Sequence, residues 1–181
     1  VVDGSTHSLD VTAQILKGFG AAKVHRFDKL ADAQKYLKVK TADLLILDPS
    51  IERGAGYDYI IELRRGGGAN AYIPMIMIRG HVRKVDVARG RDTGVNFVVA
   101  KPLSATVLLQ RILWVVKDKR PFVQLEGGFI GPDRRFKFDG PPGSSDGRRT
   151  SDLKSPLGDA VEPNMSQEEV DAMIKPQRVA L

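Results

Sequence analysis

Apolar residues run through the first two thirds of the chain in two rhythms. One is short and unbroken: Leu44–Leu47, Pro74–Ile78 and Phe97–Ala100, each closed by Asp, Arg or Lys and by Pro or Gly. Runs that short predict strands buried on both faces of a parallel sheet, not helices. The other rhythm returns every three or four residues. Leu9, Ala13 and Leu16 predict a helix that Ser5 or Thr6 can cap and that Gly18 and Gly20 close near Phe19. Leu30, Ala33, Tyr36 and Leu37 predict a helix over Lys29–Leu37. Ile60, Ile61 and Leu63 predict one over Tyr57–Arg65, ended by Gly66–Gly68. Val82–Thr93 reads as a helix carrying mostly charge. Ser104 caps a last one, with Val107, Leu108, Ile112, Val115 and Val116 on its faces. Val1–Val2 reads as a strand stub, and Lys23–Phe27 as a short strand with Val24 inward.

Five strands alternating with five helices predict a doubly wound α/β fold with right-handed crossovers. The expected parallel sheet is five-stranded and flavodoxin-like, in the order 2-1-3-4-5. That order sets the switch point between the first and third strands, which end in Asp3 and Asp48. The fourth and fifth end in Arg79 and Lys101. Four charged side chains therefore converge where ligands collect in such sheets, at the strands' carboxyl ends.

The chain has 181 residues, 42% of them hydrophobic, enough for one domain and an appendage. It has no cysteine, which excludes disulfides, thiolate metal sites and a cysteine nucleophile, and fits a cytoplasmic protein. No apolar stretch approaches the ~18–20 residues of a membrane span, and no signal peptide is visible. Only Val1–Val2 precede Asp3, so an N-terminal truncation of the first strand is expected. Net charge is +6. Residues 1–119 are basic, with 19 Lys and Arg against 12 Asp and Glu. The basic residues are scattered over helix faces, without interleaved aromatics, so nucleic acid is not an expected partner.

The order Asp3, Asp48, Lys101–Pro102, with Asp92–Thr93–Gly94–Val95 between, resembles a response-regulator receiver domain of the two-component, chemotaxis-like type. The resemblance covers residues 1 to about 119. It implies that Asp48 is the phosphoacceptor, that Lys101 and its strand-end neighbour Arg79 form the phosphate site, and that Lys101–Pro102 is a cis bond. In the family, an aspartate takes phosphoryl from a phosphohistidine through a loose anionic transition state, and a carboxylate-bound Mg²⁺ and a lysine balance the charge. The chain departs from the pattern at several points. Gly4 stands where a second acidic ligand is usual, so Asp3, Asp48 and Ser50 imply only weak Mg²⁺ binding. Arg79 replaces the strand-end Thr or Ser, Val98 replaces the switch aromatic, and Ala55–Gly56 keeps only the Gly of an Asp-Gly step. A guanidinium at Arg79 is expected to pair with Asp48 or Asp3 and stand in for the missing cation.

Beyond Lys119 the composition shifts to Pro, Gly, Asp, Ser and Arg, which predicts a mostly disordered linker over 120–164. Phe122–Phe129 is a candidate exception that packs on the domain. Gly131–Arg135 and Asp146–Arg149 form two arginine elements, of a kind seen behind alphaproteobacterial single-domain receivers. Met165–Pro176 predicts a short helix: Ser166 and Glu169 have capping-box spacing, Pro176 stops it, and Val170, Met173 and Ile174 share a face. Its SQEEVDAMI resembles the receiver-binding segment of flagellar switch proteins. That implies docking on a receiver's last strand and helix, in cis or in trans.

The reading is a non-enzymatic receiver adaptor with a helical docking peptide, and a sensor histidine kinase or other signalling protein as partner. Two alternatives stay open: a conventional phosphorylated single-domain regulator or phosphate sink, and a cyclic-dinucleotide effector using Arg79 and the tail arginines. A flavodoxin-like redox enzyme is disfavoured, since no phosphate-cradling loop follows the first strand.

Overall fold

The computed structural model describes residues 1–118, 120–125, 128–133 and 165–174. Three parallel strands form the sheet: β1 (Leu45–Leu47), β2 (Met75–Arg79) and β3 (Phe97–Ala100), in that order across it. Leu45 pairs with Met75, and Ile76 with Phe97. Val2 extends the sheet as a single bridge, parallel to Leu47 on one side and to Phe27 on the other. In chain order the layers thus run 2-1-3-4-5. The first two strands are far shorter than the Lys23–Phe27 reading. Val2 and Asp3 donate to Ile46 O and Phe27 O at 2.9 and 3.1 Å, and Val24 is only half-buried. Leu45–Leu47 and Met75–Ile78 are buried without a break, because helices cover both faces.

Helix α1 (Thr6–Gly18) starts at Ser5, whose hydroxyl accepts from Ser8 N, and buries Leu9, Ala13 and Leu16. Helix α2 (Leu30–Val39) has no capping side chain of its own. Glu52, from the loop after β1, accepts from Leu30 N at 2.9 Å instead. That loop forms a turn, α3 (Ile51–Gly54), with Glu52 and Arg53 at φ +49° and +62°. Helix α4 (Gly56–Arg65) follows at once. Gly56 has no room for a side chain, since a Cβ there would lie 2.7 Å from Pro49 Cα. This packing requirement accounts for the one residue of the Asp-Gly step that the chain keeps. Helix α5 (Lys84–Thr93) ends at Gly94, and α6 (Ala105–Lys117) begins at Ser104, which accepts from Val107 N. Lys101–Pro102 is cis.

Part of the stretch expected as a linker is structured, over the Phe122–Phe129 segment expected to pack on the domain. Strands β4 (Phe122–Gln124) and β5 (Ile130–Pro132) form an antiparallel hairpin that packs beside α4. Apolar rings drive this: Phe122 meets Tyr72 edge-on at 5.7 Å and lies under the Arg64 guanidinium. Arg64 itself is buried and donates to Ala71 O, Ile73 O and Gly94 O, tying three segments at the sheet's base. Burial pushes its pKa down to about 9. The remaining linker, with Arg134, Arg135, Arg148 and Arg149, lies outside the described residues, as does the expected helix stop at Pro176. A last helix, α7 (Gln167–Ile174), lies against β3 and α5. Among the described residues, no helix is long and apolar enough to cross a membrane.

Candidate functional site

The carboxyl ends of the first strand stub and of β1 hold Asp3 and Asp48, both buried. Lys101, at the end of β3, reaches between them. Its Nζ donates to Asp3 Oδ2 at 2.8 Å and to Asp48 Oδ2 at 2.6 Å. Each carboxylate has further donors. Asp3 Oδ1 accepts from Ser5 N at 2.9 Å, and its Oδ2 from Ser8 Oγ. Asp48 Oδ1 accepts from both the backbone N–H and the hydroxyl of Ser50. Burial alone would push the Lys101 amine down, but the bonds and attraction of the two carboxylates outweigh it and hold its pKa above 10.5. The pocket is therefore one cation clamped by two anions. An aspartate so held can act as an acceptor nucleophile, and the lysine can neutralise an incoming phosphoryl oxygen.

The family model of the response regulator receiver domain matches residues 1–113. The chain belongs to that family. The phosphate regulon transcriptional regulatory protein PhoB of Escherichia coli K12 is 27% identical over 120 residues, covering 64% of this chain and 51% of that protein. The PhoB of Klebsiella pneumoniae is similar over the same span. The chain thus spans about half the length of the curated relatives it matches. Among solved structures, a signal receiver domain of a DNA-binding response regulator from Colwellia psychrerythraea 34H superposes with a TM-score of 0.58. It shares 24% identity and is covered for 95% of its length by 65% of this chain. A CheY-like receiver domain protein from Methanospirillum hungatei JF-1 gives a TM-score of 0.56 at 20% identity, over 62% of this chain and 87% of that one. These structures show the receiver fold, and the family makes the chain a two-component signalling module.

Receivers typically bind Mg²⁺ at the phosphorylation site. In this receiver the residues that could hold the ion are Asp3, Asp48 and Ser50. They supply two carboxylates, and both already face an ammonium. Among the described residues, no three His, Cys, Asp or Glu side chains converge to hold a metal. Glu52, the nearest other acid in sequence, is turned away to cap α2. A hard cation that demands near-octahedral oxygen ligation does not fit this donor set as a dedicated site.

The expectation for Arg79 is corrected. It pairs with neither Asp48 nor Asp3. Its Nη1 lies 3.3 Å from Asp86 Oδ1 and donates to Tyr57 OH at 2.7 Å, while its Nε donates to His81 O. Asp86 sits in the first turn of α5, where it also accepts from Arg83 N, so it anchors that helix start. The arginine is drawn to a carboxylate seven residues on, because Asp48 is already occupied by Lys101. Val98, at the aromatic position, is buried within β3.

The tail residues meet a different part of the receiver. Val170 and Ile174 are buried in the common core and Met173 packs against it. Three polar contacts went unread in the sequence. Gln167 Oε1 accepts from Ala100 N at 2.7 Å, Gln167 Nε2 donates to Val98 O at 3.2 Å, and Asp171 pairs with Arg111 of α6. Their signal was present in outline, since Gln167 and Asp171 stand three residues before Val170 and one after it, on the same helix face. Ser5 and Ser8 were likewise missed as donors to Asp3. An Asp followed closely by a helix-capping Ser is the available cue.

Proposed function

We propose that this receiver works in the cytoplasm as a signalling adaptor through protein–protein contacts, and that metal-dependent phosphorylation of Asp48 is weak or absent. The observation that carries the reading is the charge balance of the pocket. Lys101 spans both carboxylates. It is the one cation in ion-pair contact with Asp48 among the described residues. Phosphoryl transfer draws its acceleration from positioning and from cations that neutralise developing charge. Gly4 withholds the carboxylate that would hold a Mg²⁺ firmly, and the two acids that remain bind an ammonium. Arg79 is committed to Asp86 and Tyr57, so it is not poised to draw its loop toward a phosphoryl group on Asp48. The partners in this reading are a sensor histidine kinase or another signalling protein.

The test is intact-mass spectrometry of the full chain after incubation with acetyl phosphate and excess Mg²⁺, with Asp48→Asn as control. A small or undetectable phosphorylated fraction is expected. Rapid, stoichiometric gain of one phosphoryl mass that Asp48→Asn abolishes would establish a conventional phosphorylated regulator instead.

A further inference from the structure

A cavity of about 450 Å³ lies at the amino ends of β1 and β2, opposite the aspartate pocket, between the last turns of α2 and α4. Helix α2 faces it with Gln34, Leu37 and Lys38, and α4 with Tyr59, Glu62 and Leu63, each set at i, i+3 and i+4. Asn70, in the turn Ala69–Tyr72, fixes the α2 side. Its Nδ2 donates to Leu37 O at 2.6 Å and to Lys40 O at 2.8 Å, and its Oδ1 accepts from Ala42 N at 3.1 Å. Two of the last carbonyls of α2 are thereby satisfied, and that wall is preformed. Gly67 and Gly68, both at φ +71°, carry the chain past the mouth. A Cβ on either would meet nothing within 4 Å, so the opening is clear.

Leu37 is buried and Leu63 packs against the core, so the inner walls are apolar. One polar atom among them is unmatched. Tyr59 is 4% exposed, and its hydroxyl has no hydrogen-bond partner among the described residues. Buried side-chain polar atoms are nearly always paired, because leaving one unmade forfeits its hydration. Burial, with the Glu62 charge behind it, pushes this phenol up to about 12, so it stays neutral and can donate. The rim is charged. Lys38 and Lys40 are exposed there, and the one acid of the lining, Glu62, accepts from Gln34 Nε2 at 3.2 Å.

We propose that this cavity binds a small aromatic anion. Its apolar ring system lies between Leu37 and Leu63, an acceptor on the ring takes the Tyr59 hydroxyl, and its acidic group meets Lys38 and Lys40. A concave, mostly apolar site with a few polar groups that fix orientation has the character of a small-molecule pocket. The cationic rim selects the sign of the charge. The site shares no residue with the Asp3–Lys101–Asp48 clamp, so the proposal stands whether or not Asp48 accepts phosphoryl.

The test uses 7-diethylaminocoumarin-3-carboxylate, a fluorescent aromatic anion with a ring carbonyl, and its ethyl ester as the neutral counterpart. Titrated with the full chain by fluorescence polarisation, both should saturate at one site per chain, the carboxylate more tightly. Lys38→Glu/Lys40→Glu should weaken the carboxylate about tenfold, since two attractions become repulsions, and leave the ester unchanged. Lys17→Glu/Lys117→Glu, on the exposed ends of α1 and α6, makes the same change in net charge and should leave both titrations as they are. Tyr59→Phe should weaken both probes about three- to tenfold, the value of one hydrogen bond. It should melt no lower than the wild type, because the hydroxyl has no partner to lose. Absence of saturable binding overturns the proposal, and so does equal affinity for carboxylate and ester. Equal weakening by the two lysine pairs would mean unspecific attraction and overturns it too. A Tyr59→Phe chain that melts lower and binds both probes like the wild type would give the hydroxyl a structural role instead.

Discussion

Replacing Lys101 by methionine removes one charge and keeps the length of the side chain. In the native pocket the ammonium sits 2.8 Å from Asp3 Oδ2 and 2.6 Å from Asp48 Oδ2. Asp3 is 2% exposed and Asp48 6%, so neither carboxylate has bulk water to turn to. Removing one partner of a buried ion pair costs about 3–5 kcal/mol, because it leaves a buried charge uncompensated. Two features lower that figure. The Lys101 side chain is 24% exposed, so water can enter in its place. The carboxylates also keep their donors from Ser5, Ser8 and Ser50. The expected loss at neutral pH is therefore about 2–3 kcal/mol, a large share of the ~5–15 kcal/mol that a domain has in all. Urea unfolding reads it directly.

The pH dependence supplies a second signature. The folded state raises the Lys101 pKa above 10.5. A base raised in this way stabilises fully below its unfolded value and loses that contribution as pH climbs through the folded one. The wild-type and Lys101→Met stability curves should thus lie apart at neutral pH and converge in strong alkali. Adding Asp48→Asn should recover part of the loss, since one carboxylate then remains. A neutral-pH loss below about 0.5 kcal/mol, the range of an ordinary surface substitution, would refute the clamp. A gap that persists unchanged in alkali would do the same.

Gly4→Asp should strengthen Mg²⁺ binding by roughly tenfold or more, because it adds a third anionic ligand to the pocket. Space is available, since a Cβ at Gly4 meets only Ile51 Cγ1 at 3.7 Å. Calorimetry showing equal Mg²⁺ affinity in the variant and the wild type would contradict this. Arg79→Ala should cost about 1–2 kcal/mol through its bonds to Asp86 and Tyr57, and leave the Lys101 clamp intact. Burial works against the Asp86 carboxylate, but the Arg83 bonds and the pull of Arg79 and Arg83 hold its pKa below 3.8. Its stabilising contribution is therefore full above 3.8 and lost as pH falls through the lowered value. Arg79→Ala should shrink that acid-side loss in thermal melts, and an unchanged acid limb would count against the pairing. Gly94→Ala should cost about 2 kcal/mol or more, beyond the ~1–2 kcal/mol of a left-handed residue, and loosen the hairpin. Gly94 sits at φ +89°, and its Cβ would fall 2.2 Å from Ile130 O. A melting temperature equal to that of the wild type would show that the hairpin does not pack there.

The parts of this receiver that the sequence determined are those set by neighbours a few residues away or by uniform burial. Leu44–Leu47, Pro74–Ile78 and Phe97–Ala100 read as strands because a strand covered on both faces needs apolar residues at every position. Ser5, Ser104 and the Ser166–Glu169 pair marked helix starts because a capping bond closes within three residues. Asp48 and Lys101 were legible as strand-end residues once the strand order was argued. Tertiary structure alone decided which charge met which. Arg79 and Lys101 end adjacent strands with the same sign, and only their positions give the two aspartates to Lys101 and Asp86 to Arg79. Phe122–Phe129 was expected to pack on the domain, but its pairing as a hairpin was not legible, because a few apolar residues in a polar stretch take no set form until a surface such as Tyr72 and Arg64 receives them. Gln167 was invisible as a strand surrogate for the same reason. Its partners, Val98 O and Ala100 N, are backbone groups nearly seventy residues away, and backbone groups leave no mark in the side-chain pattern.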